Sequence, residues 1–354
     1  MAIKLSRTTC AKSSLGLSLE KRWSIDRFSA MSRLWDLTEK DEANVRHIEQ
    51  TIRDVDHWKN DPFEVVRYYK EYYTSKNHET SLKKVETVWR HMVQWRLDYD
   101  ADTLLQRNPK PDPLWTQLPC KMLETCDRDG DPVFVDRVGI GDSFGILKHF
   151  GVDAFADHII WIREFHCHPS FWGYNNQVRN FTVIIDLLGL SSGHLRPGLL
   201  PLLQKTARVQ QDCYAGWEKR IIIIRAPAIF KIIWAIAKHF FDKHVQDALI
   251  FGTKHDYLDV LEEYVELEDL PPEIAPQGKA KGYPGYFQQV SLQGGSFQPD
   301  LIGSTTSKNS QWEPTTSITN ACAANVKTKV LMKGQYSWDP VLDNRMSVNV
   351  VYQF

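Results

Sequence analysis

Residues 221–241 read IIIIRAPAIFKIIWAIAKHFF, and this stretch decides the fold of the chain. The isoleucines that precede Arg225 are β-branched, which favours a buried strand. Pro227 interrupts the apolar run, and Arg225 and Lys231 place charges inside it. A membrane-spanning helix needs about 20 predominantly apolar residues with few charges. We therefore interpret the stretch as a strand, a turn that contains proline, and an apolar helix over 228–241.

The predicted helix over 228–241 is apolar around most of its circumference. Lys231 and Lys238 are seven residues apart in sequence and share one narrow stripe, with His239 beside it. A surface helix usually buries an apolar stripe of about 100°. Such a helix either lies in the core of the protein or covers an apolar space, and the pattern alone favours the core.

The same pattern of strand followed by helix recurs on both sides of this stretch. The predicted strands are Pro132–Val138, Phe181–Leu187, Arg220–Arg225 and Ala248–Phe251. The predicted helices are Asp153–Phe165, Pro197–Cys213, Ala228–Phe241 and His255–Tyr264. Strands that alternate with helices predict an α/β fold with a mostly parallel sheet.

The sequence predicts that the whole chain divides into four segments. We expect an N-terminal arm over 1–54, a small helical domain over 55–110, an α/β domain over 115–278 and a polar tail over 279–354. Asp61-Pro62 is typical of a helix start, and a proline-rich stretch between Pro109 and Pro119 predicts a linker. Within the tail, Ser, Thr, Asn and Gln make up 18 of the 38 residues over 291–328, which predicts disorder.

Composition narrows the class of protein and its compartment. Lys plus Arg number 43 against 44 Asp plus Glu, a balance that argues against a nucleic-acid-binding protein. The six cysteines contain no C-x-x-C pair, which predicts reduced thiols and a cytoplasmic protein. Residues 1–19 carry basic and hydroxyl side chains but no acid. This composition leaves two alternatives, a disordered arm or a transit peptide for import into an organelle.

Two local patterns resemble a nucleotide-binding loop and a metal site, but neither matches a known enzyme motif. Gly139, Gly141 and Gly145 follow a predicted strand, but the third glycine is one place too late for a dinucleotide loop. His166-Cys167-His168 has metal-ligating residue types, yet consecutive residues rarely point at one ion. We expect a flexible turn and a helix end at these places, and we expect neither catalysis, nor a metal, nor a cofactor.

Several motifs, in the right order and spacing, resemble the CRAL-TRIO family of lipid-binding proteins. They are Asp129–Phe134 (the D-G-R-P-V strand), Val183–Gly189 (I-x-D-x-x-G), Gln211–Tyr214 with Ile221–Phe230 (a helix ending at tyrosine, then a strand ending in N-A-P), Asp242, and Leu270–Glu273 (L-P-x-E). The similarity runs over about residues 55–278 and includes the helical domain that precedes the family's α/β domain.

The resemblance implies a deep hydrophobic pocket that is floored by the sheet and gated by a mobile helix at 228–241. It places lipid-pocket residues at Phe181, Val183, Tyr214, Ile221, Ile223, Phe230 and Trp234. It places headgroup or membrane-surface residues at Arg67, Lys70, Lys231, Lys238, Lys243 and His244. Phe181 and Val183 are two apart, as are Ile221 and Ile223, so each pair shares one face of its strand.

Departures from the family pattern bear on the ligand. Lys243–Ala248 lacks the threonine and lysine of the P-x-T-x-x-K motif found in phosphatidylinositol-binding members, and Phe181 and Val183 replace small hydroxyl residues. We therefore expect a sterol, tocopherol, carotenoid-like or acyl ligand rather than an inositol headgroup.

The resemblance implies a monomeric, non-catalytic protein that carries an apolar lipid, such as a phospholipid, sterol or tocopherol, between membranes and touches their surfaces transiently. The alternative is a lipid-sensing module that presents a lipid-dependent surface to a partner, with the tail over 279–354 or the N-terminal arm engaging that partner.

Overall fold

The computed structural model of the protein describes residues 25–107, 120–141, 143–167, 178–194 and 198–280. The described residues form two compact units that divide between Trp95 and Arg96. The predictions for a transit peptide over the first residues and for a disordered tail lie outside the described residues, apart from 279–280.

The first unit is helical. Its helices are α1 (Ile25–Leu34), α2 (Glu39–Ile52), α3 (Pro62–Tyr72) and α4 (His78–Tyr99), the last of which continues past the division. The predicted start of α3 is confirmed, because the Asp61 side chain accepts a hydrogen bond from the Phe63 amide at 2.9 Å and Pro62 is the first helical residue. Apolar side chains at helical spacing on α3 and α4 are buried, at Val65, Val66, Tyr69, Val85, Trp89 and Met92.

The second unit alternates strands and helices. Its strands are β1 (Cys120–Cys126), β2 (Pro132–Asp136), β3 (Phe181–Asp186), β4 (Glu218–Ile224) and β5 (Leu249–Gly252). Its helices are α5 (Leu104–Arg107), α6 (Ser143–Cys167, broken at Gly151), α7 (Leu199–Cys213), α8 (Phe230–Ala237), α9 (Lys243–Asp247) and α10 (Tyr257–Glu262).

The five strands form one sheet in the order β1-β2-β3-β4-β5. The pairs from β2 to β5 are parallel, and only β1 runs antiparallel to its neighbour. The predicted mostly parallel α/β fold is therefore confirmed, including all four predicted strands. The edge strand β1 was not predicted, because Lys121, Glu124 and Thr125 interrupt its apolar pattern.

One face of the sheet forms a closely packed hydrophobic core, which we call the core face. Val133, Val135, Ile184 and Ile222 have no exposed surface at all, and they pack with residues of the 261–275 segment such as Leu261 and Leu270. The segment begins in the last turn of α10 and continues into the chain that follows it. This face therefore stabilises the sheet by burial of apolar surface, at about 25 cal/mol per Å².

The stretch over 221–241 folds into a strand, a turn and a helix, as interpreted from the sequence, but the α-helix ends at Ala237 and a 3₁₀ turn over Lys238–Phe240 follows it. Ile221–Ile224 end β4, a turn holds Pro227, and α8 begins at Phe230. In the described part of the chain, no helix combines the length and the apolar composition that crossing a membrane requires.

The cysteines agree only in part with the prediction of reduced thiols. Cys120, Cys167 and Cys213 are buried and have reduced thiols. Cys126 is disulfide-bonded, so the prediction is wrong at that position.

Candidate functional site

The second face of the sheet, which we call the helix face, carries two rows of side chains that cross the strands β2 to β5. The strand register aligns Phe134, Val183, Ile221 and Leu249 in the first row, and Asp136, Ile185, Ile223 and Phe251 in the second. Directly paired residues of neighbouring strands point to the same side of a sheet. The pocket residues Val183, Ile221 and Ile223, proposed from the resemblance, therefore lie together on this face.

Helices cover this face. On α6, His166 places its ring edge-on against Phe134, with 5.1 Å between ring centroids. On α8, Trp234 places its ring 5.9 Å from that of Phe251 on β5. The helix α7 reaches the same side through Gln210, whose amide donates to the carboxylate of Glu218 at the start of β4.

Residual exposure distinguishes the helix face from the close core opposite. Phe134, Val183, Ile221 and Ile223 keep between 3% and 7% of their surface exposed, although they lie on the three inner strands of the sheet. Ile185, in the second row, is half-buried. On the opposite face, the neighbouring residues are fully buried. The helices thus leave the helix face less closely packed than the core face.

The helix α8 presents two different faces. Ile233 and Ala237 are buried, and Phe230 and Trp234, which continue the same side at helical spacing, are half-buried. Phe230, Trp234, Phe241 and Phe251 form an aromatic cluster with ring centroids 5.9 to 6.3 Å apart. Phe230 and Trp234, which the resemblance predicts to line a pocket, therefore lie on the sheet-facing side of this helix.

The outer face of α8 is apolar and exposed. Ile232 is 56% exposed and Ile236 is 42% exposed, and Lys231 beside them is also exposed. Lys238, which follows the helix, is half-buried. Because large exposed apolar side chains are costly in water, adjacent ones mark a surface that contacts another apolar phase.

Side chains from other elements fix the end of α8. The Gln211 side chain on α7 donates to the Phe240 carbonyl at 3.0 Å and accepts from the Asp242 amide at 2.6 Å. Gln246 on α9 donates to the carbonyls of Lys238 and Phe241, at 2.9 and 2.8 Å. These hydrogen bonds hold the residues that follow α8 through two glutamine side chains.

One charged group interrupts the apolar rows of the helix face. Asp136 ends β2, is half-buried, and forms no side-chain hydrogen bond or ion pair with any described residue. Burial raises the pKa of this carboxyl to about 7, although the charge of Arg163 on α6 acts in the opposite direction. Sequence reasoning missed Asp136 as a site residue, even though its two-residue offset from Phe134 places both side chains on one face.

Tyr214 lies deep in a polar network. Its hydroxyl donates to the Glu164 carboxylate, which also accepts two hydrogen bonds from the buried Arg96, at 2.8 and 2.7 Å. Burial and the Glu164 charge raise the pKa of Tyr214 well above its ordinary value. The hydroxyl is thus engaged by protein groups, and the proposed role of Tyr214 in lining a pocket stays a prediction. Phe181 is also buried, against Trp217 at 5.7 Å.

The residues predicted to lie at a headgroup or membrane surface belong to both units. Arg67 is buried within the first unit, where its Nε lies 3.8 Å from Glu64, and Lys70 lies 3.8 Å from Asp41. Lys243 is exposed and pairs with Asp247 one helical turn later. The side chain of His244 lies outside the described residues. Their roles stay predictions.

The His166-Cys167-His168 motif takes the structure of a helix end up to Cys167, and His168 lies outside the described residues. His166 is buried, and its Nδ1 lies 2.9 Å from the Ile162 carbonyl oxygen. Burial lowers the pKa of His166 to about 4. The described ranges contain no group of three or more metal-ligating side chains that could hold an ion.

Comparisons with known proteins agree with this geometry. The chain is 32% identical over 185 residues to "Protein real-time" of Drosophila melanogaster, a match that covers 51% of this chain and 28% of that protein. It is 25% identical over 197 residues to "Phosphatidylinositol/phosphatidylcholine transfer protein SFH4" of Arabidopsis thaliana, covering 54% of this chain and 32% of that protein. The chain thus spans about a third or less of the length of these curated relatives.

A solved structure shares the fold of this chain, and a family description identifies the domain. The crystal structure of Sfh5 superposes with a TM-score of 0.53 at 15% identity, covering 72% of this chain and 92% of that chain, and so shares the fold. The CRAL/TRIO domain family matches residues 119–274, which hold every strand of the sheet. Residues 119–274 of this chain are therefore a CRAL/TRIO domain.

Proposed function

We propose that the CRAL/TRIO domain of this chain binds one apolar lipid between the helix face of the sheet and α8, and carries it between membranes. The observation that carries the proposal is the contrast between the two sheet faces. Fully buried residues such as Ile222 lie on one face, and their strand neighbours such as Ile223 keep exposed surface on the other. Interiors normally pack at crystal-like density, so exposed surface in the middle of a sheet is what a ligand space would leave.

The chemistry of this face suits an apolar ligand. Seven of the eight side chains in the two rows are apolar, and the aromatic cluster under α8 extends the same surface. Each buried CH₂ group contributes about 0.8 kcal/mol. A C16 to C18 chain is therefore held tightly by burial alone, and binding needs no covalent step.

The relatives support lipid transfer at the level of the family. The Arabidopsis protein is named for transfer of phosphatidylinositol and phosphatidylcholine, but Lys243–Ala248 of this chain lacks the threonine and lysine that the resemblance associates with phosphatidylinositol binding. We therefore extend to this chain the apolar chain-binding part of that activity, and we expect weak selectivity for phosphatidylinositol.

The outer face of α8 supplies a surface for membranes. Ile232 and Ile236 can enter the interface while Lys231 meets anionic headgroups. In this proposal the protein works as a monomer in the cytoplasm and contacts membranes only transiently.

Two matched substitutions in adjacent residues test the ligand space. Ile223→Trp adds volume on the helix face, and Ile222→Trp adds the same volume on the close core face. We expect Ile223→Trp to keep its melting temperature and to lose lipid uptake from fluorescent vesicles, because its ring fills the ligand space. Ile222→Trp should lower stability by about 1–3 kcal/mol or more, because overpacking a closed core is destabilising. Equal destabilisation by Ile223→Trp and Ile222→Trp would contradict the proposal.

The transfer step needs its own measurement, because a lipid sensor would also bind. Purified protein is mixed with labelled donor vesicles and unlabelled acceptor vesicles, and the movement of lipid is followed over time. A carrier accelerates exchange in proportion to its concentration. Stoichiometric binding without accelerated exchange would instead favour the lipid-sensing module.

A further inference from the structure

Asp136 stands at one end of the second row of the helix face, and it is the single charged residue in either row. Ile185 and Ile223 lie between it and Phe251 at the far end. Neighbouring strands are about 4.8 Å apart, so the row spans about 14 Å. A lipid that lies along this row would have its apolar end beneath the aromatic cluster of α8 and its other end at Asp136.

The charged groups around Asp136 are already paired with one another. Arg163 on α6 holds Glu218 on β4 and donates to Gln210 on α7 at 3.1 Å. Asp186, at the end of β3, accepts hydrogen bonds from both Arg225 and Arg137.

These neighbours also act on the protonation of Asp136. Its pKa is raised to about 7, chiefly by burial, while the charge of Arg163 lowers it and the charges of Asp186 and Glu218 contribute to the rise. The carboxyl therefore changes protonation near neutral pH, in a place where no described side chain hydrogen-bonds to it.

We propose that Asp136 binds the polar group of the lipid, and that this group is a hydroxyl. The inference rests on the proposed function and names the ligand class for the same site. A hydroxyl donates to the ionised carboxylate and accepts from the protonated one, so it satisfies Asp136 in both states. A phosphate or carboxylate headgroup would instead meet a carboxyl without a paired cation, and like charges at close range repel.

A matched octadecyl series tests this inference on the full chain. Phosphatidylcholine vesicles are doped with equal amounts of 1-octadecanol, octadecyl methyl ether, octadecylamine and stearic acid, and the lipids extracted by the protein are quantified by mass spectrometry. The chains are identical, so differences report the polar group. We expect octadecanol to exceed the methyl ether by about tenfold or more, which is the usual contribution of a hydrogen bond to a charged group.

Variants of Asp136 assign the preference to this side chain. Asp136→Leu should remove the preference for octadecanol while uptake of the methyl ether is unchanged. Asp136→Asn should keep the preference for octadecanol, because an amide also donates and accepts hydrogen bonds. In this variant the preference should not change with pH between pH 5 and 9, because the amide does not titrate. Asp153→Leu is the matched control, because it makes the same change at an α6 carboxylate that is 90% exposed, and it should behave as the parent protein. Thermal melting of each variant verifies folding.

The possible outcomes separate this inference from the proposed function. Equal uptake of octadecanol and its methyl ether, or a preference that persists in Asp136→Leu, overturns the hydroxyl site but leaves lipid binding intact. Dominant uptake of octadecylamine or stearic acid also overturns it, in favour of a cationic or anionic headgroup. Failure of the parent protein to extract any apolar lipid, including the phosphatidylcholine itself, overturns the proposed function and this inference with it.

Discussion

The Arg225 guanidinium donates two hydrogen bonds to the buried carboxylate of Asp186, from Nε at 2.9 Å and from Nη2 at 2.5 Å. Asp186 also accepts a hydrogen bond from Arg137 Nε at 3.1 Å. Arg225 itself has a left-handed backbone with φ 54°, which costs a non-glycine residue about 1 kcal/mol or more. The ion pair therefore holds a strained residue at the point where the chain leaves β4 and turns toward α8.

The first prediction concerns this turn. Arg225→Asn should lower the free energy of unfolding by about 2–4 kcal/mol, because the buried Asp186 loses one of its two cations. Arg225→Ala should cost about 1 kcal/mol more, since Asn tolerates the left-handed region and Ala does not. Urea unfolding measures both, and hydrogen exchange over 226–241 should accelerate in each.

A surface ion pair supplies the control for that experiment. Arg208 is 82% exposed and pairs with Asp212 one turn later on α7. Arg208→Ala should change stability by less than about 0.5 kcal/mol. If Arg225→Asn is equally mild, the pair with Asp186 does not hold the turn.

The second prediction is a pH dependence of stability. The folded protein keeps a proton on Asp136 up to about pH 7, whereas an unperturbed aspartate titrates near 3.8. Between those values the native state binds more protons than the unfolded state, so the contribution of Asp136 to stability falls as pH rises. The fall is up to about 4 kcal/mol, and it is complete above pH 7.

Asp136→Asn isolates this contribution. His166 acts in the opposite direction, because burial lowers its pKa to about 4 and its contribution to stability rises with pH over the same range. Both proteins contain His166, so only the difference between their urea unfolding free energies is informative. That difference should shift in favour of Asp136→Asn between pH 4.5 and 7.5. A constant difference would mean that Asp136 is ionised in the folded protein.

The fold could be predicted from the sequence because its signals are local. The run Ile221–Ile224 is β-branched and uninterrupted, so it indicates a buried strand by itself. The spacing of two between Phe181 and Val183 places both on one face. The helix α6 begins at Ser143, ten residues before the predicted start, because Gly151 breaks its pattern with φ 82°. Local sequence does not show that the chain is helical both before and after such a break.

The candidate site could be predicted only in its apolar part. Asp136 is the single charged residue of β2, whereas Arg163 is one of several charged residues of α6. No spacing in the sequence relates either of them to a partner. Arg225 reaches Asp186 across 39 residues, and Arg96 reaches Glu164 across 68. These pairs arise from the order of strands and the packing of helices, so they become visible only once the chain is folded.

The third prediction separates structure from ligand binding at Tyr214. Arg96→Met should lower stability by about 3–5 kcal/mol, because it leaves the Glu164 charge buried without its main partner. The double variant Arg96→Met/Glu164→Leu should be more stable than Arg96→Met, since it removes both charges together. Denaturant unfolding measures this comparison, and a double variant that is less stable than the single one would contradict the role assigned to the pair.

Tyr214→Phe should cost only about 1 kcal/mol, because Arg96 still pairs with Glu164. It should leave lipid uptake unchanged, since its hydroxyl is engaged by Glu164 rather than free for a ligand. Loss of uptake in Tyr214→Phe, with stability retained, would place this hydroxyl at the ligand after all.

The last prediction concerns the two faces of α8. Trp234→Asp places a carboxylate against Phe230 and Phe251, which costs several kcal/mol or displaces the helix, so lipid occupancy should fall sharply. The double variant Ile232→Ser/Ile236→Ser changes exposed residues only, so a preloaded lipid should be retained.

Transfer between vesicles by the double serine variant should nevertheless slow about tenfold or more, because the two isoleucines no longer enter the membrane. Lys231→Ala should slow transfer only from anionic vesicles, by about fivefold, which corresponds to about 1 kcal/mol for one lysine near the surface. Native mass spectrometry measures retention and the vesicle assay measures transfer. If the double serine variant loses its lipid while Trp234→Asp retains it, the outer and inner faces of α8 exchange roles, and α8 covers the ligand through the isoleucines instead.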